Sequence, residues 1–159
     1  MKLTLNREYA QRHLFVAVLM FALACWFGYD GLIRYPATDA AELYRSIEKA
    51  EAPSGFDLDG FKEQKTKTQY GFALLSLLAS LVVGARLAKS ARFKFEFDDN
   101  SFAVNGKSRS YDEILEIDRK NWEKKGIVAL KLKGDDAFSL DSWHHRGVNE
   151  FMELLKKRS

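Results

Sequence analysis

One short stretch of this sequence combines positive charge with an aromatic ring. Its members are Arg119, Lys120, Trp122, Lys124 and Lys125. Such a combination can contact an anionic membrane, where each basic side chain near the surface contributes about 1 kcal/mol, or an acidic partner. Acidic residues close by in the sequence lower the net charge of the stretch. It therefore has two interpretations, a lipid or partner contact and a solvated turn with Trp122 packed beneath it, and the acidic neighbours favour the second.

The histidines are the other candidates for chemistry. His13 precedes an apolar run, and the adjacent pair His144 and His145 is predicted to begin the last helix. Neighbouring residues point about 100° apart on a helix, so both rarely bind one metal ion. Asp135, Asp136 and Asp141 lie near the pair, but a polar helix start is favoured over a metal site. Nucleophile, phosphate-loop and zinc-protease motifs are absent from the sequence. We therefore expect no enzyme, no cofactor, no metal and no small-molecule substrate.

Composition excludes further classes of protein. The formal charge of +3, from 25 basic and 22 acidic residues, is too small for a dedicated nucleic-acid binder. The single cysteine, Cys25, excludes an internal disulfide and a multi-cysteine zinc site. A content of 47% hydrophobic and 30% charged residues describes neither a disordered chain nor a fully embedded bundle. This average composition combines two halves of the chain whose compositions differ.

Two apolar runs occupy the first half. Residues 14–29 and 70–85 contain no charged residue, and about 20 residues are needed to cross a hydrocarbon core about 30 Å thick. With their interfacial ends, residues 13–33 and 70–88 are predicted to be transmembrane helices 1 and 2. The alternatives are a pair of buried core helices and, for the first run, a signal peptide cleaved after residues 22–24. The apolar run continues past that site, which favours an uncleaved span.

Charge and aromatic residues indicate the orientation of the helical hairpin. Basic residues are more frequent before the first run and after the second than between them, which predicts residues 1–12 and the C-terminal half in the cytoplasm and residues 34–69 outside. Trp26, Tyr29, Tyr35 and Arg86 are expected at the membrane interfaces. Asp30 lies in the same zone, either as a solvated carboxylate or as a paired one.

Small residues in the second run predict how the two helices pack. Ser76, Ser80 and Gly84 are spaced by four and share one helix face, which permits close approach of a neighbouring helix. The alternative is that they are scattered small residues of the kind found in any span.

The segment between the runs is predicted to be helical. Asp39 can cap a helix that ends before residues 53–55, and a second helix is expected to begin near Asp57 or Asp59 and continue into the second run. The apolar face of the first helix, around Leu43 and Tyr44, could lie on a membrane or on a partner. Packing against its own chain is favoured.

In the second half of the chain, apolar and polar residues alternate, as they do in β-strands. Phe93, Phe95 and Phe97 are predicted to share one sheet face, with Phe102 and Val104 opposite them across a hairpin. Asn105-Gly106 is a strong turn signal. Further strands are expected at residues 107–111, 114–119, 126–133 and 137–140. A final amphipathic helix, capped by Asp141 or Ser142, carries its apolar residues on one face: Val148, Phe151, Met152 and Leu155.

Residues 91–158 resemble the bacterial pleckstrin-homology-like (PH-like) domains attached to small membrane proteins. The resemblance is carried by Tyr111-Asp112-Glu113-Ile114 with Ile117, by Trp122 before Lys124-Lys125-Gly126-Ile127, and by Leu140-Asp141 followed by Phe151 and Leu155. It implies an antiparallel α+β sheet closed by the C-terminal helix. It also implies a location in the bacterial cytoplasmic (inner) membrane.

The predicted protein is therefore a membrane α-helical hairpin joined to an α+β domain of PH-like type. We expect a non-catalytic, membrane-anchored subunit or adaptor whose cytoplasmic domain mediates protein interaction. Its partners would be the lipid bilayer and either a membrane protein or a second copy of the chain, and not nucleic acid. The alternatives are an anionic-lipid-sensing domain and an unrecognised enzyme.

Overall fold

The computed structural model describes residues 1–134 and 136–158, which form two compact units. One unit joins Met1–His13 to the chain from Arg86 onward, and the other is Leu14–Ala85. The chain is α+β, with two long apolar helices and antiparallel sheets. This confirms the predicted class at that level.

The long helices are α1, Arg7–Tyr29, and α4, Leu58–Arg92. A π-helical segment, Asp30–Arg34, and the single turn α2, Tyr35–Ala37, continue α1. By length and composition, Arg7–Ala37 and Leu58–Arg92 could each cross a membrane. Only 11% and 0% of their most apolar windows are buried, so neither is a core helix covered by the described part of this chain.

The connection between the long helices packs on itself. Helix α3, Ala40–Glu48, begins after Asp39, whose carboxylate accepts hydrogen bonds from the amides of Ala41 and Glu42 as predicted. Leu43 is 1% exposed. Tyr44 contacts Phe56 and Phe61, each with ring centroids 4.9 Å apart. Self-packing, the favoured interpretation, is confirmed, as is the continuous helix α4.

The other unit contains eight strands and two further helices among the described residues. The strands are β1 Thr4–Leu5, β2 Phe95–Phe97, β3 Ser101–Val104, β4 Lys107–Ser110, β5 Ile114–Asp118, β6 Ile127–Leu132, β7 Ala137–Asp141 and β8 His145–Arg146. Helix α5 is Trp122–Lys125, helix α6 is Val148–Arg158, and a 3-10 turn covers Tyr111–Glu113. The antiparallel sheets are β2-β3-β4, β5-β6-β7 and the pair β1-β8.

In the first hairpin, formed by β2 and β3, the predicted residues face the core. Phe95 pairs with Val104 and Phe97 with Phe102, and the three phenylalanines are buried against Phe151 of α6. Asn105 and Gly106 have φ angles of 49° and 84°, the positive values that a tight hairpin turn requires. Apolar residues alternate here because one face of the sheet meets the helix and the other faces solvent.

The N-terminal residues belong to this unit, which the sequence did not indicate. The amide of Leu3 donates to the carbonyl of Phe95 over 2.9 Å, and the amide of Phe97 donates to that of Met1 over 2.8 Å. Thr4 and Leu5 pair with Arg146 and His145 on β8. Leu3 is 4% exposed within the core. The unit thus includes residues that were predicted to form a separate cytoplasmic segment, 1–12.

The predicted start of the last helix is wrong. Asp141 ends β7, a turn follows, and α6 begins at Val148 after Gly147, whose φ is 97°. The carboxylate of Asp141 does accept a backbone hydrogen bond, from Trp143 over 2.8 Å, but it caps the turn. His145 is therefore on β8 and buried, because the N-terminal strand offers it a backbone partner that sequence inspection could not supply.

Removing the Leu3 side chain should loosen the domain core. We expect Leu3→Ala to cost about 2–5 kcal/mol, the usual range for a buried leucine. Native-state hydrogen exchange of the full chain in detergent, read at the β2 amides, measures the loss. Thr4→Ala, on the exposed neighbour, is the matched control, and equal exchange in both variants would show that Leu3 is not a core residue.

Truncating Phe95 should destabilise the domain more than truncating the adjacent residue, Lys94. Truncating a buried phenylalanine costs about 3–5 kcal/mol, whereas an exposed substitution is usually within about 0.5 kcal/mol. Phe95→Ala should therefore abolish protection of β2 and β3, and Lys94→Ala should preserve it. Similar exchange in the two variants would mean that the strand phase is displaced by one residue.

Candidate functional site

The basic-aromatic turn comprises Arg119, Lys120, Trp122, Lys124 and Lys125, between β5 and β6. Trp122 is half-buried and packs against the domain core, while the four charged side chains are exposed. Among the described residues, none of the four forms an ion pair. The structure thus has Trp122 packed beneath the turn, as one interpretation expects, and leaves the four charges free to contact an anion.

A shallow groove runs along the free edge of β5. It holds about 400 Å³ and is lined by Tyr111, Asp112, Ile114, Leu115, Glu116, Ile117, Leu155 and Arg158. The pairing register of β5 with β6 shifts at Leu115, so this residue is bulged out and 58% exposed. The unpaired backbone groups of this strand edge, beside the exposed leucine, suit contact with another protein. The mixed charges of the lining do not select a small anion or cation.

Tyr111 is one of the residues that line this groove. Its hydroxyl donates to the carbonyl of Asp98 over 2.7 Å, and the Arg158 guanidinium lies 4.3 Å from its ring centroid. Burial raises the pKa of the Tyr111 phenol, and the positive charge of Arg158 partly opposes the rise. Tyr111 is therefore an un-ionised structural residue at neutral pH.

Ion pairs and charged hydrogen bonds stabilise the neighbouring turn between β4 and β5. Glu113 accepts from the amide of Ser110 and from the Arg109 guanidinium, each over 2.9 Å, and both interactions lower the pKa of its carboxyl. Arg109 also pairs with Asp136. Because this carboxylate stabilises the fold only when ionised, its contribution is lost as the pH falls through the lowered pKa.

The three histidines lie near the start of α1, where His13 and His144 contact Tyr9, which is 2% exposed. The rings of His13 and His144 lie 4.0 and 4.3 Å from the tyrosine ring, and His145 hydrogen-bonds through Nε2 to the carbonyl of Ser90 over 3.0 Å. Burial lowers the pKa of His144, and Asp141 opposes this. These histidines pack the start of α1 against the end of α4, rather than forming the polar helix start that was predicted.

No metal site is found in the part of the chain that the structure describes. There, no three His, Cys, Asp or Glu residues form a group that could hold an ion. Asp135, which belonged to the considered cluster, lies outside the described residues.

Trp143 lies beside this histidine cluster. It is 43% exposed, and the guanidinium carbon of Arg12 lies 5.4 Å from its ring centroid. Sequence reasoning missed this pair because its members lie near opposite ends of the chain.

Asp30 is a paired carboxylate. It is 6% exposed, accepts from Trp26 Nε1 over 3.2 Å, and lies 3.4 Å from Arg34. Of the predicted interface residues, Trp26, Tyr29 and Arg86 are exposed. Tyr35 is instead buried, and its hydroxyl accepts a hydrogen bond from Gln69.

The small residues of α4 differ in what they contact. Ser76, Ser80 and Gly84 are all half-buried, and the Ser80 hydroxyl donates to the carbonyl of Ala17 over 2.9 Å. A methyl group added at Gly84 would meet no atom within 4 Å. At Gly31, on the π-helical segment, it would lie 3.1 Å from the ring of Tyr70. Of these two glycines, it is therefore Gly31 that lies at a close approach between the helices.

No family model, curated protein or solved structure matches this chain.

The two glycines give a matched test of helix packing. Alanine gains about 1 kcal/mol of helix propensity over glycine, and at Gly84 nothing opposes this gain. We expect Gly84→Ala to raise the resistance of the folded chain to denaturing detergent and Gly31→Ala to lower it, measured by circular dichroism in mixed micelles. An equal rise in both variants would show that Tyr70 does not restrict the size of residue 31.

Proposed function

We propose that this chain is a multi-pass protein of the bacterial cytoplasmic membrane, with residues 13–33 and 70–88 as its spans. The support is the uncovered apolar surface of both long helices, of which Phe15, Leu75 and Leu81 are each at least 60% exposed. In water, so large an apolar surface would drive aggregation. A bilayer removes that penalty.

The same proposal places both ends of the chain in the cytoplasm. The N-terminal residues pair with β2 and β8, so the chain leaves this unit through α1 and returns to it through α4. A chain that returns to its starting unit crosses a bilayer an even number of times. The excess of flanking basic residues at that end supports the cytoplasmic side.

We further propose that the sheet-containing unit is a PH-like domain. Two three-stranded antiparallel sheets, β2-β3-β4 and β5-β6-β7, and the C-terminal helix α6 share one core. The N-terminal segment adds a further extended strand beside β2, through the Lys2–Glu96 bridge. This extra strand extends the first sheet from a segment outside residues 91–158.

The function we propose is that of a non-catalytic adaptor, which holds a partner at the membrane through this domain. One observation carries the proposal: the bulged, exposed Leu115 at the free edge of β5, which lines a groove together with Ile114 and Ile117. Leu115, Trp143 and Met1 are the exposed large apolar residues of the described part of this unit. The backbone N–H and C=O groups of this strand edge can pair with a partner, and such a contact would cover Leu115.

The topology can be tested by cysteine labelling in intact cells. In a Cys25→Ala background, Ser54→Cys should react with a membrane-impermeant thiol reagent, because residues 34–69 are proposed to lie outside. Asn100→Cys, on an exposed turn of the sheet unit, should react only after permeabilisation. The reverse pattern would invert the topology, and labelling of both in intact cells would refute membrane insertion.

The adaptor function can be tested at Leu115. A protein that co-purifies with the full chain at fixed stoichiometry in mild detergent should be lost in Leu115→Asp and retained in Ser108→Asp, which introduces the same single negative charge at another exposed position. Retention in both variants would exclude the β5 edge as the contact.

Lipid sensing through the basic-aromatic turn is the second candidate, and the four unpaired basic side chains favour it. Replacing Lys124 and Lys125 by glutamate should then abolish a salt-sensitive response to anionic lipid, and should leave partner binding through Leu115 unchanged.

A further inference from the structure

The turn at residues 142–144 presents Trp143 to solvent from a rigid support. The carbonyl of His144 accepts from the amide of Asn6 over 2.8 Å, and the His144 ring packs against Tyr9. The amide of Trp143 donates to Asp141. The indole itself contacts the Arg12 guanidinium and is 43% exposed. A large aromatic ring is thus held in a fixed position with much of its surface uncovered.

The position of Arg12 along α1 sets the depth of this indole. Helix α1 continues without a break from Arg7 to Tyr29, and its uncharged run begins at Leu14, two residues after Arg12. At 1.5 Å of rise per residue, Arg12 lies about 3 Å along the axis from the first residue of that run. If the run begins at the hydrocarbon boundary, Arg12 and the ring stacked on it lie at the level of the lipid headgroups.

The charges nearby suit an anionic surface. Arg86, Lys89 and Arg92 lie at the end of α4, exposed and without an ion pair among the described residues. Arg12 is paired with Glu8. Tryptophan with basic neighbours is the combination enriched where a protein meets headgroups.

We propose that Trp143, with Arg12, is a membrane anchor of the sheet-containing unit, inserted among the headgroups of an anionic bilayer. This inference rests on the proposed membrane insertion of α1 and α4. It adds a contact in the C-terminal half of the chain, outside both spans. The domain would then be fixed at the membrane surface, with the basic-aromatic turn and the β5 edge left free for other partners.

The three tryptophans allow one experiment to test the Trp143 contact separately from insertion of the spans and from contact through the basic-aromatic turn. Variants that keep a single tryptophan, with the other two replaced by phenylalanine, are reconstituted one copy per nanodisc containing anionic lipid. Emission is measured with and without lipids brominated near the headgroup, which quench only nearby indoles. Acrylamide quenching from the aqueous phase is measured in parallel.

We expect Trp143 to lose emission to the brominated lipid to an extent comparable with Trp26, and to be shielded from acrylamide. Trp122, packed on the core near the basic-aromatic turn, should show no lipid quenching. In the Trp143 variant, Arg12→Gln with Arg86→Gln should reduce the lipid quenching. In the same variant, Lys107→Gln, at an exposed basic residue on β4, should leave the lipid quenching unchanged.

Each other pattern of quenching overturns the inference in a different way. Quenching of Trp26 without Trp143 would leave the spans in place and refute the anchor. Quenching of Trp122 without Trp143 would show that the domain meets lipid through the basic-aromatic turn instead. Absence of quenching at Trp26 would refute membrane insertion itself, and the anchor with it.

Discussion

The backbone pairing of the first five residues is the constraint on which the rest of the structure depends. Residues 1–3 add to the edge of β2, and Thr4 and Leu5 pair with β8. Leu3 is thereby placed in a core whose other members, among the described residues, all lie from Phe93 onward. Since β1 leads directly into α1 and β2 follows directly after α4, this short strand ties the start of one long helix to the end of the other.

The helix ends gain fixed positions from the same pairing. Tyr9 of α1 lies beside Ser90 of α4, with their hydroxyls 3.4 Å apart, and His145 of β8 bonds to the Ser90 carbonyl. Each of these groups is polar and well covered, so a shift of either helix would leave polar atoms without partners, at a cost of about 1–3 kcal/mol for each buried one. The start of α1 and the end of α4 are therefore held against β8 within the sheet-containing unit.

Local signals were sufficient to predict much of the fold. The alternation of Phe95, Phe97 and Phe102, the Asn105-Gly106 turn and the cap at Asp39 each depend on a few consecutive residues. Strand β1 could not be predicted in this way, because it is two residues long and its partners lie more than ninety positions away in the sequence. The misplaced start of α6 has the same origin, since Asp141 resembles a helix cap until β8 is known to have a partner. Gly31 was overlooked because its close neighbour, Tyr70, is on the other helix.

The same limit applies to functional surfaces. The basic-aromatic turn is visible in the sequence because its residues are consecutive, yet the structure shows its tryptophan packed inward. The contact between Arg12 and Trp143 cannot be predicted from the sequence, because it forms only when the N-terminal strand brings the turn at residues 142–144 against α1. An indole held on a rigid turn loses little conformational entropy when it enters an interface. Because Trp143 is exposed on a fixed turn and Trp122 is packed on the core, Trp143 is the more accessible indole of this domain.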